Sequence, residues 1–99
     1  MQLYEFMVPT HYNNGQPIDH AEFDEWLGGT FGGYTKLAPA TGFWRDENIG
    51  QVFEETVIPY RVATDQRGAD QRIADNVALD FDQLAVYVGK IGTCEIKLY

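Results

Sequence analysis

Two adjacent glutamates, Glu54 and Glu55, are the residues of this chain with the clearest chemical potential. They lie in the stretch 50–63, which is rich in β-branched and aromatic residues and is typical of a long strand. Neighbouring strand residues point to opposite faces, so one glutamate must face the layer that covers the sheet. An ionised carboxylate is costly there unless something needs its charge. A strand carboxylate beside an aromatic residue and an arginine is one way in which a small sheet binds a cationic ligand.

The residue types that are missing restrict the chemistry further. The chain contains no serine, which excludes every mechanism with a serine nucleophile. Its two histidines, His11 and His20, and its only cysteine, Cys94, do not have the spacing of a zinc site. The glycine-rich stretch 28–33 lacks the order of a phosphate-binding loop, and it follows a predicted helix instead of opening one. We expect it to end that helix, and we predict no metal and no cofactor.

Composition and charge limit the class of protein. Ninety-nine residues suffice for a single domain, 1–99, with a thin core. The formal charge of −8 argues against a nucleic-acid partner, because phosphates would be repelled, and it mildly favours a cationic ligand. No apolar run approaches the ~18 residues of a membrane span, and no signal peptide is expected. A single cysteine is compatible with a reducing compartment, so we predict a cytoplasmic protein without membrane contact.

The hydrophobic period changes along the chain and predicts the elements that position the glutamates. Asp19 with Glu22 three residues later is typical of a helix start. Pro39 would bend one strand, and Pro59 indicates an edge position or a bulge in another. The predicted order is strand 2–9, helix 19–29, strand 34–44, strand 50–63, helix 68–81 and strand 84–88, followed by a bend or hairpin into 94–98.

This order is βαββαβ, the split βαβ or ferredoxin-like arrangement of the α+β class. Both helices would cover one face of an antiparallel sheet and leave the other face open. Trp44, Tyr60 and Tyr87 supply more apolar surface than a two-layer domain of this size needs. We therefore expect copies of the chain to associate through the sheet. The architecture alone indicates no chemistry, since many functions share it.

The segment Thr41–Asp46, with the sequence Thr-Gly-Phe-Trp-Arg-Asp, and the following Glu54-Glu-Thr56 carry a family resemblance. They resemble the Thr-Gly-aromatic-Arg-acidic turn and the Glu-x-Thr strand of the phage-encoded S-adenosylmethionine lyases. The similarity continues into residues 83–88, which resemble the glutamine-led last strand of that family. A family of uncharacterised small bacterial proteins is similar to the chain at least as well. An aromatic residue at the active site of the lyases is Tyr, where this chain has Trp44.

The resemblance implies an enzyme that converts S-adenosylmethionine into methylthioadenosine and homoserine lactone. The leaving sulfur is already a sulfonium, so its departure needs neither an acid nor a metal, and the ligand's own carboxylate can attack its γ-carbon. The protein must hold the methionine part curled, which can lower a barrier by ~7–11 kcal/mol in favourable intramolecular reactions. A carboxylate near the ammonium would stabilise that conformer, and aromatic rings could bind the sulfonium or the adenine.

The site that follows from the resemblance has Glu54 as its catalytic carboxylate. The predicted substrate-binding residues are Trp44, Arg45, Thr56, Tyr60 and Gln83. Strand alternation places Glu54 with Thr56 and Tyr60, and Glu55 on the opposite face. The Glu-x-Thr pattern selects Glu54, whereas the family's spacing from the aromatic residue to the glutamate selects Glu55. We predict Glu54, because a turn readily absorbs a one-residue change in length.

Other functions fit the same residues. In a non-enzymatic ferredoxin-like binding or interaction protein, Glu54 would be a solvated carboxylate, Arg45 a surface ion-pair residue, and Trp44 a packing residue. A small enzyme of the bacterial family with a different substrate is a third possibility. For the lyase, the resemblance implies a homo-oligomer, with three chains and sites where subunits meet, in the cytoplasm of a phage host. Its role there would be to deprive restriction systems of their methyl donor.

Overall fold

Two helices and five strands form a two-layer α+β structure, described by a computed structural model over residues 1–99. The α+β class predicted from the sequence is confirmed. In chain order the elements are β1 (Gln2–Pro9), α1 (Ala21–Phe31), β2 (Thr35–Lys36), β3 (Ala40–Asp46), β4 (Gln51–Thr64), α2 (Ala69–Asp80) and β5 (Val88–Thr93).

The strands form a single antiparallel sheet around the long strand β4. The order across the sheet is β2-β4-β1-β5, and β3 also pairs with β4. Val57 pairs with Pro9 of β1 on one side and with Ala40 of β3 on the other, so β2 and β3 follow the same edge of β4. The strand predicted over 34–44 is therefore split. The register changes by one residue between Lys36 and Ala40, around Pro39, which has no N–H to donate.

Both helices pack on one face of the sheet. The core residues of the sheet are even-numbered, as strand alternation requires, and those of each helix repeat every four residues. The sheet contributes Phe6, Val8, Ile58, Tyr60 and Val62, and the helices contribute Phe23, Leu27, Ile73 and Val77. The opposite face of the sheet carries no helix, so the odd-numbered side chains of β4 are available for a site.

The first helix is shifted by two residues from its predicted position. It begins at Ala21, whose N–H donates to the Asp19 carboxylate at 3.0 Å, and it continues past the glycine pair 28–29. The helix ends at Gly32, which adopts a left-handed conformation with φ of 82° and donates its N–H to the Gly28 carbonyl. The prediction that the glycine-rich stretch 28–33 ends the helix is therefore confirmed, although the helix ends at Gly32 and not at residue 29, because Gly32 is the glycine that takes the left-handed conformation.

The last strand lies further along the chain than predicted. Residues 84–87 have no regular structure, β5 is Val88–Thr93, and no hairpin into 94–98 forms. Gly89 and Gly92, which stand where the bend or hairpin was predicted, lie within β5. Leu3 pairs with Gly92 and Tyr4 with Lys90, so Ile91 is the extra residue of a bulge. The predicted strand and hairpin were wrong because glycine permits a bulge as readily as a turn.

The hairpin of β3 and the first part of β4, residues 40–56, projects beyond the rest of the sheet, and we call it the arm. β1 ends opposite Val57, so β4 from Gln51 to Glu55 pairs with β3 alone. The turn at its tip is held by Asp46, whose carbonyl accepts from the Gly50 N–H at 2.8 Å. The arm contributes to an elongated molecule of 50 × 26 × 23 Å. A two-stranded ribbon has little stability of its own in water.

Candidate functional site

The register of the arm divides its side chains between two faces. Trp44 pairs with Phe53 and Gly42 with Glu55, whereas Phe43 pairs with Glu54 and Arg45 with Val52. Directly paired residues of an antiparallel ladder share a face. Trp44 and Phe53 stack at 4.6 Å between ring centroids, and Glu55 follows on the same face. The two glutamates therefore serve opposite faces, as strand alternation predicts.

The larger cavity of the molecule, about 700 Å³, involves the helix-free face. Its volume is within the range of small-molecule sites. Its lining includes Met7, Trp44, Glu55, Val57, Gln83 and Tyr87. Glu55 is the only ionisable carboxylate that borders it, among mostly apolar neighbours. This cavity therefore offers an aromatic wall, one carboxylate and two amides, those of Gln83 and Asn13.

Small residues on β3 leave room beside the carboxylate. A Cβ placed on Gly42 would lie 4.0 Å from Glu55 Cγ and 3.8 Å from the Glu55 carbonyl oxygen. These are ordinary contacts, so an alanine would fit and a longer side chain would extend into the cavity. Gly42 and Ala40 thus keep a space open between Trp44 and Val57.

The end of α2 brings Gln83 to the same cavity. Asp82 adopts a left-handed conformation with φ of 53°, rare for a residue other than glycine, and reverses the chain after the helix. The Gln83 N–H donates to the Ala78 carbonyl at 3.0 Å, and its side-chain amide donates to the Phe81 carbonyl at 3.0 Å. Gln83 is thereby held at the cavity by backbone contacts.

A smaller cavity of about 400 Å³ lies between the arm and the loop after β1. It is bordered by Glu54, Thr56 and His11, and Trp44 and Glu55 border it as well as the larger cavity. The Thr10 hydroxyl fastens the loop to the arm by donating to the Thr56 carbonyl at 3.1 Å. Glu54 and Thr56 therefore lie at a different opening from Gln83.

Two further predicted site residues, Arg45 and Tyr60, border neither cavity. Arg45 is exposed on the other face of the arm and makes no side-chain hydrogen bond or ion pair. Tyr60 is completely buried in the core, where its hydroxyl donates to the Asp24 carboxylate at 2.5 Å. The other carboxylate oxygen of Asp24 accepts from Lys36 Nζ at 2.9 Å. Tyr60 thus joins β4 to α1, with its hydroxyl already engaged, and we leave it out of the site.

Sequence reasoning assigned Glu55 to the exposed face and gave Tyr87 only an association role. The spacing from Trp44 to the glutamate was the one signal in the sequence that favoured Glu55. Nothing in the sequence pattern separated a core tyrosine from a ligand-binding one at position 60. That distinction depends on Asp24 of the helix packed above it.

Tyr60→Phe should lower the free energy of unfolding by about 1–2 kcal/mol, since a hydrogen bond to a charged group is lost. Burial, together with the hydrogen bond to Asp24, raises the pKa of Tyr60 far above its ordinary value of 10.0. The folded state therefore keeps this proton when the unfolded chain releases it. The stability that this group contributes is complete below pH 10 and is lost as the pH rises further. Urea unfolding at pH 7 and above pH 10 measures both effects.

The control for this variant is Tyr34→Phe, because Tyr34 is exposed and makes no side-chain hydrogen bond. It should change the free energy of unfolding by less than about 0.5 kcal/mol. Tyr60→Phe should also lose less stability than the parent as the pH rises above 10, because no hydroxyl remains at position 60 to titrate. Equal stability of parent and Tyr60→Phe at pH 7 would show that the buried hydroxyl contributes nothing.

A scan against models of known protein families finds no match, and searches of curated proteins and of solved structures find no similar protein. The family resemblance therefore depends on the short motifs of the arm and of residues 83–88 alone. Neither α1 nor α2 has the length and the apolar character that a membrane-spanning helix requires. No group of three or more histidine, cysteine, aspartate or glutamate side chains is arranged to hold a metal ion.

Proposed function

We propose that the chain is an S-adenosylmethionine lyase whose substrate occupies the larger cavity. One observation carries the proposal: Trp44, Glu55 and Gln83, from the three stretches that resemble the lyases, border the same cavity. These residues are far apart in the sequence, and the arm and the end of α2 bring them together. The combination suits a ligand with a cationic centre, an aromatic base and polar groups.

We also propose that the fold is ferredoxin-like, with its second strand divided into β2 and β3. With β2 and β3 counted as one strand, the sheet has four strands, and their order across the sheet is fourth (β5), first (β1), third (β4) and second (β2 with β3). The antiparallel pairing throughout and the two helices on one face support this assignment.

In the proposed site, Glu55 takes the place that the sequence pattern assigned to Glu54. It shares a face with Trp44 and a cavity with Gln83, whereas Glu54 borders only the smaller cavity. Glu55 would hold the ammonium group of the substrate. The Trp44 ring would lie against the sulfonium or the adenine, where stacking and cation–π attraction both stabilise the ligand.

The reaction needs no group from the protein to accept or donate a proton. A carboxylate oxygen of the substrate attacks its own γ-carbon, and the bond from that carbon to sulfur breaks with its electron pair moving to sulfur. The products are a neutral thioether and a lactone that keeps its ammonium group. The contribution of the protein is to hold the curled conformer, which positions the reacting atoms. The negative charge of the chain, −8, favours arrival of a cationic substrate.

Incubation of the purified protein with S-adenosylmethionine should produce methylthioadenosine and homoserine lactone, detected by chromatography. S-adenosylhomocysteine is the matched control, because its sulfur carries no positive charge and is a poor leaving group in this reaction. It should remain intact, and a chelator should not slow the consumption of S-adenosylmethionine. Intact S-adenosylmethionine after prolonged incubation would rule out the lyase.

The exposed apolar side chains of the arm favour a second candidate, a non-enzymatic protein that associates through its sheet. Phe43 is 68% exposed, and Val52, on the same face of the arm, is 54% exposed. We propose a homo-oligomer in either case, and the resemblance implies three chains. If the lyase acts in a phage host, it depletes the methyl donor of restriction systems in the cytoplasm. Association without turnover would favour the second candidate.

A further inference from the structure

Residues 94–99 follow β5 and extend past the sheet without a partner strand. Cys94 is the last residue held by the sheet, since its N–H donates to the Met1 carbonyl at 3.0 Å. Residues 95–99 make no backbone hydrogen bond. Ile96 is 65% exposed and Leu98 is 91% exposed, with Lys97 between them. An alternating apolar pattern is typical of a strand with one covered face, and here nothing covers it.

The arm has an edge that is equally unpaired. The Thr56 carbonyl accepts from the Thr10 N–H at 3.2 Å, which shows that the backbone groups of Thr56 point to the β1 side. Residues two apart in a strand direct these groups to the same side. The N–H and C=O of Val52 and Glu54 therefore point to the same side as those of Thr56, but they lie beyond the end of β1 and have no partner strand there. An open edge of this kind accepts an added strand.

We propose that the segment 94–99 of one copy adds as a strand to this open edge of the arm, at Val52 and Glu54, in a second copy. The two segments leave opposite ends of the sheet, because β4 and β5 both run antiparallel to β1. The eight residues of β1 separate them by about 25 Å, so they do not pair within one copy.

The charges of the two surfaces are compatible with a second copy as the occupant of the edge. The arm carries four carboxylates and a single arginine: Asp46, Glu47, Glu54, Glu55 and Arg45. The segment 94–99 carries one lysine and one glutamate, Lys97 and Glu95, which pair with each other. The added strand therefore brings no net negative charge to the acidic edge, although the whole chain is acidic. The arm can in turn cover Ile96 or Leu98 with its own exposed apolar residues.

The contact is head-to-tail, since different surfaces of the two copies meet. Such contacts close into a ring or extend as a chain of copies. The added strand lies beside the smaller cavity, which Glu54 and Thr56 border, and supplies it with side chains from the second copy. The inference deepens the proposed association but does not depend on the substrate, because its test measures mass and not turnover.

Two variants remove the two halves of the contact. Ile96→Asp combined with Leu98→Asp makes the added strand polar. Val52→Pro removes an N–H that points to the open edge, and it leaves the pairing with β3 intact because proline is tolerated at such edge positions. Leu79→Asp is the control, since Leu79 is 82% exposed on α2 and borders neither cavity. Light scattering should give several chains for the parent and the control, and the 11.2 kDa of one chain for either variant.

Mixing the two variants tests the head-to-tail geometry. Each variant keeps the half that the other lacks, so the mixture should form pairs of chains and nothing larger. Circular dichroism checks that each variant is folded. The double aspartate variant should fold like the parent, because the backbones of Ile96 and Leu98 make no hydrogen bond within one copy. A parent of one chain's mass, a double aspartate variant with the parent's mass, or a mixture of folded variants that stays as single chains would each overturn the proposal.

Discussion

Glu55→Gln should lower the turnover of S-adenosylmethionine by about 10- to 100-fold, whereas Glu54→Gln should stay close to the parent. A hydrogen bond to a charged group contributes about 1.5–3 kcal/mol, and each 1.4 kcal/mol in the barrier is a factor of about ten in rate. Glutamine keeps the shape of the side chain and loses only its charge. The two glutamates are adjacent, exposed and on opposite faces of one strand, so each variant is the control for the other.

Turnover by both variants is measured from the methylthioadenosine formed, and thermal unfolding checks that each is folded. The reverse outcome, loss in Glu54→Gln alone, would place the site at the smaller cavity and support the Glu-x-Thr pattern. Parent-like turnover in both would show that neither carboxylate holds the substrate. Loss in both would contradict a site on a single face of the strand.

Phe6→Ala should lower the free energy of unfolding by about 3–5 kcal/mol, the range for truncating a large buried aromatic residue. Phe6 is completely buried, stacks on Tyr60 at 5.3 Å between ring centroids, and meets the edge of Phe23 at 6.0 Å. It belongs to the core cluster that residues of both helices complete, so alanine leaves a cavity in the middle of packed side chains. Since domains are stable by about 5–15 kcal/mol, much of the total would be lost.

Phe43→Ala removes the same atoms from an exposed site on the arm and is the matched control. In dilute protein it should cost less than about 0.5 kcal/mol. Urea unfolding of both variants gives the comparison. A small effect of Phe6→Ala would mean that the core repacks around the missing ring, and a large effect of Phe43→Ala would mean that the arm is covered in solution.

The sequence predicted the long strand and the second helix best, because each has a hydrophobic period that its neighbours do not interrupt. β4 runs from Gln51 to Thr64, against a prediction of 50–63, and α2 from Ala69 to Asp80, against 68–81. The final strand was misplaced because its glycines, Gly89 and Gly92, permit a turn or a bulge, and only pairing with β1 decides between them.

The candidate site could be predicted only in part. The sequence identified Trp44 and Gln83 as site candidates. The alternation of side chains along β4 puts the two glutamates on opposite faces, but it does not predict which of them borders the same cavity as Trp44 and Gln83. That choice depends on the register between β3 and β4. The burial of Tyr60 depends on contacts with α1 and β2, which are distant in the sequence and leave no local signal.

The projection of the arm has a consequence for the affinity of any ligand. β4 is held on both edges from Val57 to Arg61 but on one edge from Gln51 to Glu55, so its first half opens locally at a lower free energy than its middle. Glu55 belongs to the part that opens, and Trp44 of β3 pairs with that part at Phe53. A ligand that contacts them must spend part of its binding free energy on ordering the arm. A second copy that ordered the arm first would remove that cost, and binding would then become tighter as protein concentration rises.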